Sequence, residues 1–278
     1  MSTKKCGVIG NQVARSLSPK MYGAAFLQYG LNITYNLIEI QPAELERTIQ
    51  EIRSQDFIGA NVTIPYKESV IPFLDSLDQK AEMVGSVNTI VNNNGKLTGY
   101  TTDGDGFVIS VLEELGETPQ GKKVAIFGAG GSARSIAFAL AENKILELIL
   151  INRTKTKASE LARNICTYYP ILKITVAELS DPTLSDILAQ SDWVINCTPV
   201  GMSPEKNQSP VSDYTWVNPS QLIYDIIYNP IETLFLKNAK ASGAKTLNGI
   251  SMLAGQGMFA FELFTGKHIE YSFMKSML

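Results

Sequence analysis

The residues with the most evident chemistry follow an apolar run. Lys123-Val124-Ala125-Ile126-Phe127 leads directly into Gly128-Ala129-Gly130-Gly131-Ser132-Ala133. The spacing G-x-G-G-x-A is a variant of the dinucleotide-binding fingerprint. Small residues let the backbone approach a pyrophosphate, and the following helix aims its N–H groups and positive dipole end at the anion. A β-branched strand before the glycines and an Ala-rich helix after them supply the context that separates this motif from a plain glycine turn. The next strand ends at Asn152-Arg153-Thr154, with Lys155 and Lys157 close behind. A carboxylate there would bond ribose hydroxyls and repel a 2′-phosphate, whereas a guanidinium grips a phosphate with paired hydrogen bonds. The alternative is that Arg153 is merely a solvated surface residue. With no acid at the strand end, NADP is favoured over NAD.

Delivering hydride to a ketone leaves an alkoxide, so a proton donor must stand beside the oxygen. The chain has one histidine, His268, in a Thr-Gly-Lys-His stretch that reads as a turn or helix end. Proton transfer therefore falls to Lys, Asp, Glu or Tyr. Two polar segments follow apolar strands: Asn61-Val62-Thr63-Ile64-Pro65-Tyr66-Lys67 and Gly99-Tyr100-Thr101-Thr102-Asp103-Gly104. Ligands of open α/β sheets lie beyond the carboxyl ends of strands, where Lys67 and Asp103 both fall. A lysine oriented by a carboxylate can serve as the donor. Spacing alone leaves a second reading equally open, with Lys67 solvated and Asp103 capping a helix.

These residues need a frame, and the pattern is alternating strand and helix. Apolar strands are predicted at 5–9, 33–40, 57–63, 87–91 and 96–100, with Asn92-Asn93-Asn94-Gly95 turning a hairpin. Ser18-Pro19 opens a helix, with Ser18 as N-cap and Pro19 at the first helical position. Asp103-Gly104-Asp105-Gly106 marks a break and a domain boundary, followed by a helix to about Leu115. A β-α-β series then runs through strands at 123–127, 146–151, 171–176, 193–197 and 222–226. That series predicts a parallel sheet with helices on both faces. A final apolar helix covers about 251–264 and packs back on the first domain.

The bulk numbers agree. At 278 residues the chain is comfortable for two cores. Hydrophobic residues make up 45% and charged residues 18%, which excludes a largely disordered chain. The net charge of −3 and the lack of a basic run give no sign of a nucleic-acid partner. No apolar stretch suffices for a signal peptide or a membrane span, so a cytoplasmic protein is expected. Cys6, Cys166 and Cys197 lack zinc-type spacing, so reduced thiols are expected, with neither a disulfide framework nor a metal.

The chain resembles the shikimate dehydrogenase family along nearly its whole length. The matching segments fall in family order: Ser16-Leu17-Ser18-Pro19, residues 61–67, Gly85-Ser86-Val87-Asn88-Thr89, residues 99–104, Gly128-Ala129-Gly130-Gly131 and Asn152-Arg153-Thr154. Asn196-Cys197-Thr198-Pro199-Val200-Gly201-Met202, Asp225-Ile226-Ile227-Tyr228-Asn229-Pro230 and Asn248-Gly249 with Gln256 complete the series. The resemblance implies an α/β fold of two domains separated by a cleft: a substrate-binding domain, 1–104 with 249–278, and a Rossmann-type NADP-binding domain, 105–248. It implies reversible NADPH-dependent reduction of 3-dehydroshikimate to shikimate, on the route to chorismate and the aromatic amino acids. Lys67 would donate the proton and Asp103 orient it. Ser16 and Ser18 would bind the substrate carboxylate, Thr63, Asn88 and Gln256 the ring hydroxyls, and Tyr228 would line the pocket. Gly128, Ala129, Gly130, Gly131 and Ser132 would hold the pyrophosphate, with Asn152, Arg153, Thr154 and Lys157 at the adenosine phosphate. Thr198, Met202, Ile226 and Gly249 would lie near the nicotinamide. Small-molecule ligands only, and a monomer or homodimer, are expected.

The sequence departs from the family pattern at Tyr22, where a histidine is usual, at Thr101, where asparagine is favoured, and at Ile226, where methionine is common. The alternatives are a quinate/shikimate dehydrogenase with relaxed cofactor use, which Arg153 opposes, and a non-catalytic sensor of pathway intermediates. Retention of Lys67 and Asp103 opposes the sensor. A generic NADP-binding structural protein would leave Ser16, Ser18 and residues 61–67 unexplained.

Overall fold

The computed structural model describes residues 3–278. It divides into two compact units. One runs up to Gly106 and takes in Leu253–Leu278, and the other is Phe107–Met252. The elements of the first unit are β1 (Lys4–Gly10), α1 (Ser18–Gln28), β2 (Ile33–Glu39), α2 (Leu45–Ile52), β3 (Gly59–Val62), β4 (Ser76–Leu77), α3 (Gln79–Val84), β5 (Thr89–Asn93) and β6 (Lys96–Tyr100). Its sheet has the order β2-β1-β3-β5-β6-β4. The β1–β2 and β1–β3 pairs are parallel, and β3–β5 and β5–β6 antiparallel. One face packs Ile9, Ala60, Val62 and Ile90 against Leu45, Ile49 and Ile52 of α2.

Helix α4 (Asp103–Leu115) has its first turn in the first unit and continues in the second, which starts at Phe107. The expected break at residues 103–106 is instead its first turn. Asp103 and Asp105 suit the positive end of the helix dipole. Then follow β7 (Lys123–Phe127), α5 (Gly131–Glu142), β8 (Glu147–Ile151), α6 (Lys155–Tyr168), β9 (Lys173–Ala177), α7 (Leu184–Ala189), β10 (Trp193–Asn196), β11 (Leu222–Asp225), α8 (Leu234–Ala241) and β12 (Lys245–Leu247); α9 (Gly249–Thr265) starts in this unit and returns to the first, which also holds α10 (Tyr271–Ser276). The second sheet has the order β12-β11-β10-β7-β8-β9, and every pair in it is parallel. Alternate residues face opposite sides. Ala125, Ile149, Val194 and Ile223 pack with Phe235 and Leu236 of α8. On the other side Phe107 of α4 meets the rings of Trp193 and Tyr224. Burial on both faces explains why these strands read as unbroken apolar runs.

Helix α1 takes Ser18 as its first residue, with Leu17 rather than Ser18 flanking it and no side-chain cap. The Ser16 hydroxyl instead accepts the Ser18 amide at 3.2 Å. Rings of α1 and α9 then pack together, Phe26 on Phe261 with centroids 5.8 Å apart. Among the described residues no helix is long and apolar enough to cross a membrane.

Candidate active site

The register of the first sheet gathers one set of polar residues at one edge. In the parallel pair β1–β3, Ile9 lies opposite Val62, so the loops after both strands leave on the same side. The β1 loop carries Ser16 and the β3 loop carries Thr63 and Lys67. Strand β5 runs the other way, pairing Asn61 with Thr89, so its start brings Asn88 to that edge. Thr89 also lies opposite Tyr100, the end of β6, which delivers Thr102 and Asp103 there. Segments far apart in sequence converge because β5 reverses direction.

Lys67 sits on a rigid turn. The Thr63 amide donates to the Ile9 carbonyl at 2.9 Å, the Lys67 carbonyl accepts the Val87 amide at 2.8 Å, and buried Tyr66 donates its hydroxyl to the Ile40 carbonyl at 2.7 Å. Lys67 Nζ stands 2.5 Å from Asp103 Oδ2, with side-chain exposures of 11% and 5%. The structure therefore brings together the two residues that spacing left unconnected. The second oxygen, Oδ1, accepts from Asn88 Nδ2 at 2.9 Å. That amide is fixed in turn, because its Oδ1 accepts the Thr102 amide at 2.8 Å. Asn88 Nδ2 also lies 3.3 Å from Gln256 Oε1 and 2.8 Å from Thr102 Oγ1. Gln256 comes this close because Gly106 has no side chain: a Cβ there would stand 2.3 Å from the Gln256 nitrogen. Sequence reasoning assigns Thr102 no role of its own, although its place beside Asp103 is an available signal. A lysine ammonium held by a carboxylate, mostly out of water, can give a proton to an oxygen and recover it.

Tyr22 is fully buried and stacks on Tyr35 with centroids 4.4 Å apart. Burial, first of all, pushes its phenol well above the ordinary value, so it stays a neutral packing group. Thr101 is buried beside Thr102. His268 is exposed and lies between Glu262 and Glu270, and hydrogen bonds to those carboxylates raise its pKa.

In the second unit the glycine turn follows β7. Gly128 has φ +112°, a left-handed value that disfavours a side chain, and its amide donates to the Ile151 carbonyl at 2.8 Å. Gly130 is the N-cap of α5, is exposed and has open space where a Cβ would stand. No side chain caps this helix and its first turn holds no acid. Ala129 and Ser132 are half-buried beside it. Asn152 follows β8 and donates to the Thr154 carbonyl at 2.9 Å. Arg153, Thr154 and Lys157 are exposed, and Arg153 makes no ion pair among the described residues. An open anion cradle with a free guanidinium beside it fits a dinucleotide carrying a 2′-phosphate. Thr198, Met202 and Ile226 are half-buried on the loops after β10 and β11, with Tyr228, and Gly249 is buried at the start of α9.

Known proteins match the chain over nearly its whole length. Residues 8–90 match the shikimate dehydrogenase substrate binding domain, residues 111–211 the shikimate / quinate 5-dehydrogenase family, and residues 249–276 the shikimate 5′-dehydrogenase C-terminal domain. The shikimate dehydrogenase (NADP(+)) of Desulforamulus reducens is 43% identical over 276 residues, covering 99% of this chain and 94% of its own. This chain belongs to the shikimate dehydrogenase family. A crystal structure of shikimate dehydrogenase in complex with NADP+ matches with a TM-score of 0.90 at 38% identity, covering 99% of this chain and 94% of that one. The enzyme from Thermus thermophilus, in complex with NADP(H) and shikimate, matches with a TM-score of 0.87 at 32% identity, covering 99% and 98%.

Proposed function

We infer that this shikimate dehydrogenase family member catalyses the reversible NADPH-dependent reduction of 3-dehydroshikimate to shikimate. The observation that carries the reading is the Lys67–Asp103 pair, 2.5 Å apart and nearly buried at a strand-end edge, in a chain that also carries the glycine cradle and Arg153. We assign the unit with β1–β6 to substrate binding and the unit with β7–β12 to NADP binding. Gly128, Ala129, Gly130, Gly131 and Ser132 would hold the pyrophosphate. Asn152, Arg153, Thr154 and Lys157 would take the adenosine phosphate, and Thr198, Met202, Ile226 and Gly249 would face the nicotinamide. When bound, NADPH supplies the hydride. Lys67 gives its proton to the carbonyl oxygen as charge develops there, and takes it back in the reverse direction. Asp103 keeps the ammonium aimed, and its anchored Oδ1 stops the carboxylate from turning away. Ser16 and Ser18 would bind the substrate carboxylate through their hydroxyls, Thr63, Asn88 and Gln256 would hydrogen-bond the ring hydroxyls, and Tyr228 would line the pocket. The enzyme is read as cytoplasmic, a monomer or homodimer acting on small molecules alone.

The test follows the absorbance of reduced nicotinamide with shikimate or quinate and with each oxidised cofactor. NADP+ with shikimate is expected to be the best combination by a wide margin. A preference for NAD+ with quinate would contradict the reading of Arg153, and no turnover with any pair would favour a binding protein.

A further inference from the structure

The second unit buries one carboxylate that the reaction does not use. Asp225 ends β11 and is fully buried, as are its partners Asn196 and Thr233. Its Oδ1 accepts from Asn196 Nδ2 and from the Ile227 amide, both at 3.1 Å, and its Oδ2 accepts the Thr233 hydroxyl at 2.7 Å. All three partners are donors and none is charged. Burying an ion among neutral groups is costly, and a pair of apolar residues would fill the space without that cost. The arrangement must therefore supply something other than stability.

What it supplies is a tie between loops. Asn196 ends β10, and its Oδ1 accepts both the amide and the hydroxyl of Thr198, at 3.0 and 2.7 Å. Its Nδ2 also reaches the Val200 carbonyl at 3.3 Å. Asp225 thus fixes the orientation of Asn196, and Asn196 fixes the start of the loop that carries Thr198 and Met202. The Ile227 amide and the Thr233 hydroxyl fix the loop after β11, which carries Ile226 and Tyr228. Gly249 rests on that same loop, its amide donating to the Ile227 carbonyl at 3.0 Å, with the Ile226 carbonyl where a Cβ would be.

The sheet order says which part of a dinucleotide these loops would meet. From β7 the chain goes to β8 on one side, while β10 lies on the other. A dinucleotide lies across such a switch point. Its pyrophosphate sits at the turn after β7, and its adenosine half lies toward β8 and Arg153. Its other half must then extend over the ends of β10 and β11. The glycine turn and the β10 loop are neighbours, since a Cβ on Gly128 would lie 3.2 Å from the Cys197 carbonyl oxygen.

We propose that Asp225 is a positioning residue for the nicotinamide half of the cofactor site, acting through Asn196, Thr233 and the Ile227 amide to hold the loops after β10 and β11 in one shape. The proposal rests on the reading of the chain as an NADP-dependent enzyme. The test compares binding of NADPH, by its fluorescence, with binding of adenosine 2′,5′-bisphosphate, which is the adenosine half alone, by calorimetry. Asp225→Asn replaces one acceptor oxygen by a donor that faces donors. Losing hydrogen bonds to a charged acceptor predicts NADPH binding weaker by about tenfold or more, with bisphosphate affinity unchanged. Should that variant fail to fold, Thr233→Val is expected to weaken NADPH selectively, and Thr233→Ser to restore wild-type affinity. Equal weakening of both ligands would mean a merely structural role and overturn the proposal, as would unchanged NADPH affinity. Wild-type protein that binds neither ligand would overturn the cofactor reading itself.

Discussion

Each unit buries an aspartate at a strand-end edge, and the two are solvated differently. Asp103 has an ammonium 2.5 Å away and an amide donor behind it. Asp225 has neutral donors only, and burial pushes its pKa up to about 6. The first arrangement keeps a mobile proton next to a fixed anion, which suits chemistry. The second keeps an anion with nothing to neutralise it, which suits fixing backbone. A buried carboxylate is thus read by its partner: a titratable cation points to proton transfer, and a ring of neutral donors points to loop geometry.

The comparison can be broken at several strengths. The largest effect is expected for Asp103→Asn, which leaves Lys67 without its carboxylate. Loss of an oriented acid predicts a fall in turnover of roughly 10²-fold or more with circular dichroism unchanged. Wild-type turnover would show that the pair only stabilises the fold. A smaller effect is expected for Arg153→Ala, which should weaken NADPH by roughly tenfold to a hundredfold while leaving NADH nearly alone. Equal losses for both cofactors would remove Arg153 from phosphate recognition. The smallest concerns stability. Asp225 has a folded pKa of about 6 against an ordinary value of 3.8. Its folded form therefore binds the extra proton between those values, and its relative contribution to stability is greatest below pH 4 and lost as pH rises through 6. The shift corresponds to roughly 3 kcal/mol. Urea unfolding of wild type and Asp225→Asn should show a wild-type advantage that grows by roughly 2 kcal/mol from pH 7 to pH 4. Parallel pH curves would place the Asp225 charge in solvent.

Much of this is legible in the sequence because it is local. The turn at Gly128 and the Asn152-Arg153-Thr154 strand end are read within a few residues, and the four inner strands of the second sheet, β7, β8, β10 and β11, are apolar on both faces. The Lys67–Asp103 contact is not legible from spacing, because it depends on β5 running against β3 and on β6 returning beside it. The sequence pattern starts helix α4 after residue 106 because Gly104 and Gly106 look like a break, whereas Gly106 is there to let Gln256 approach. The short elements β4, α7, α8, β12 and α10 carry too few residues to show a period. Asp225 stands in plain view after Leu222-Ile223-Tyr224, yet only the contacts with Asn196 and Thr233 give it a role.

The most direct measurement is the turnover of Lys67→Ala at saturating NADP+ and shikimate, alongside its KM for shikimate. If Lys67 carries the proton, kcat falls by roughly 10²- to 10⁴-fold and KM barely moves, since the interaction belongs to the transition state. A variant with wild-type kcat, or one that loses only substrate affinity, would contradict the assignment.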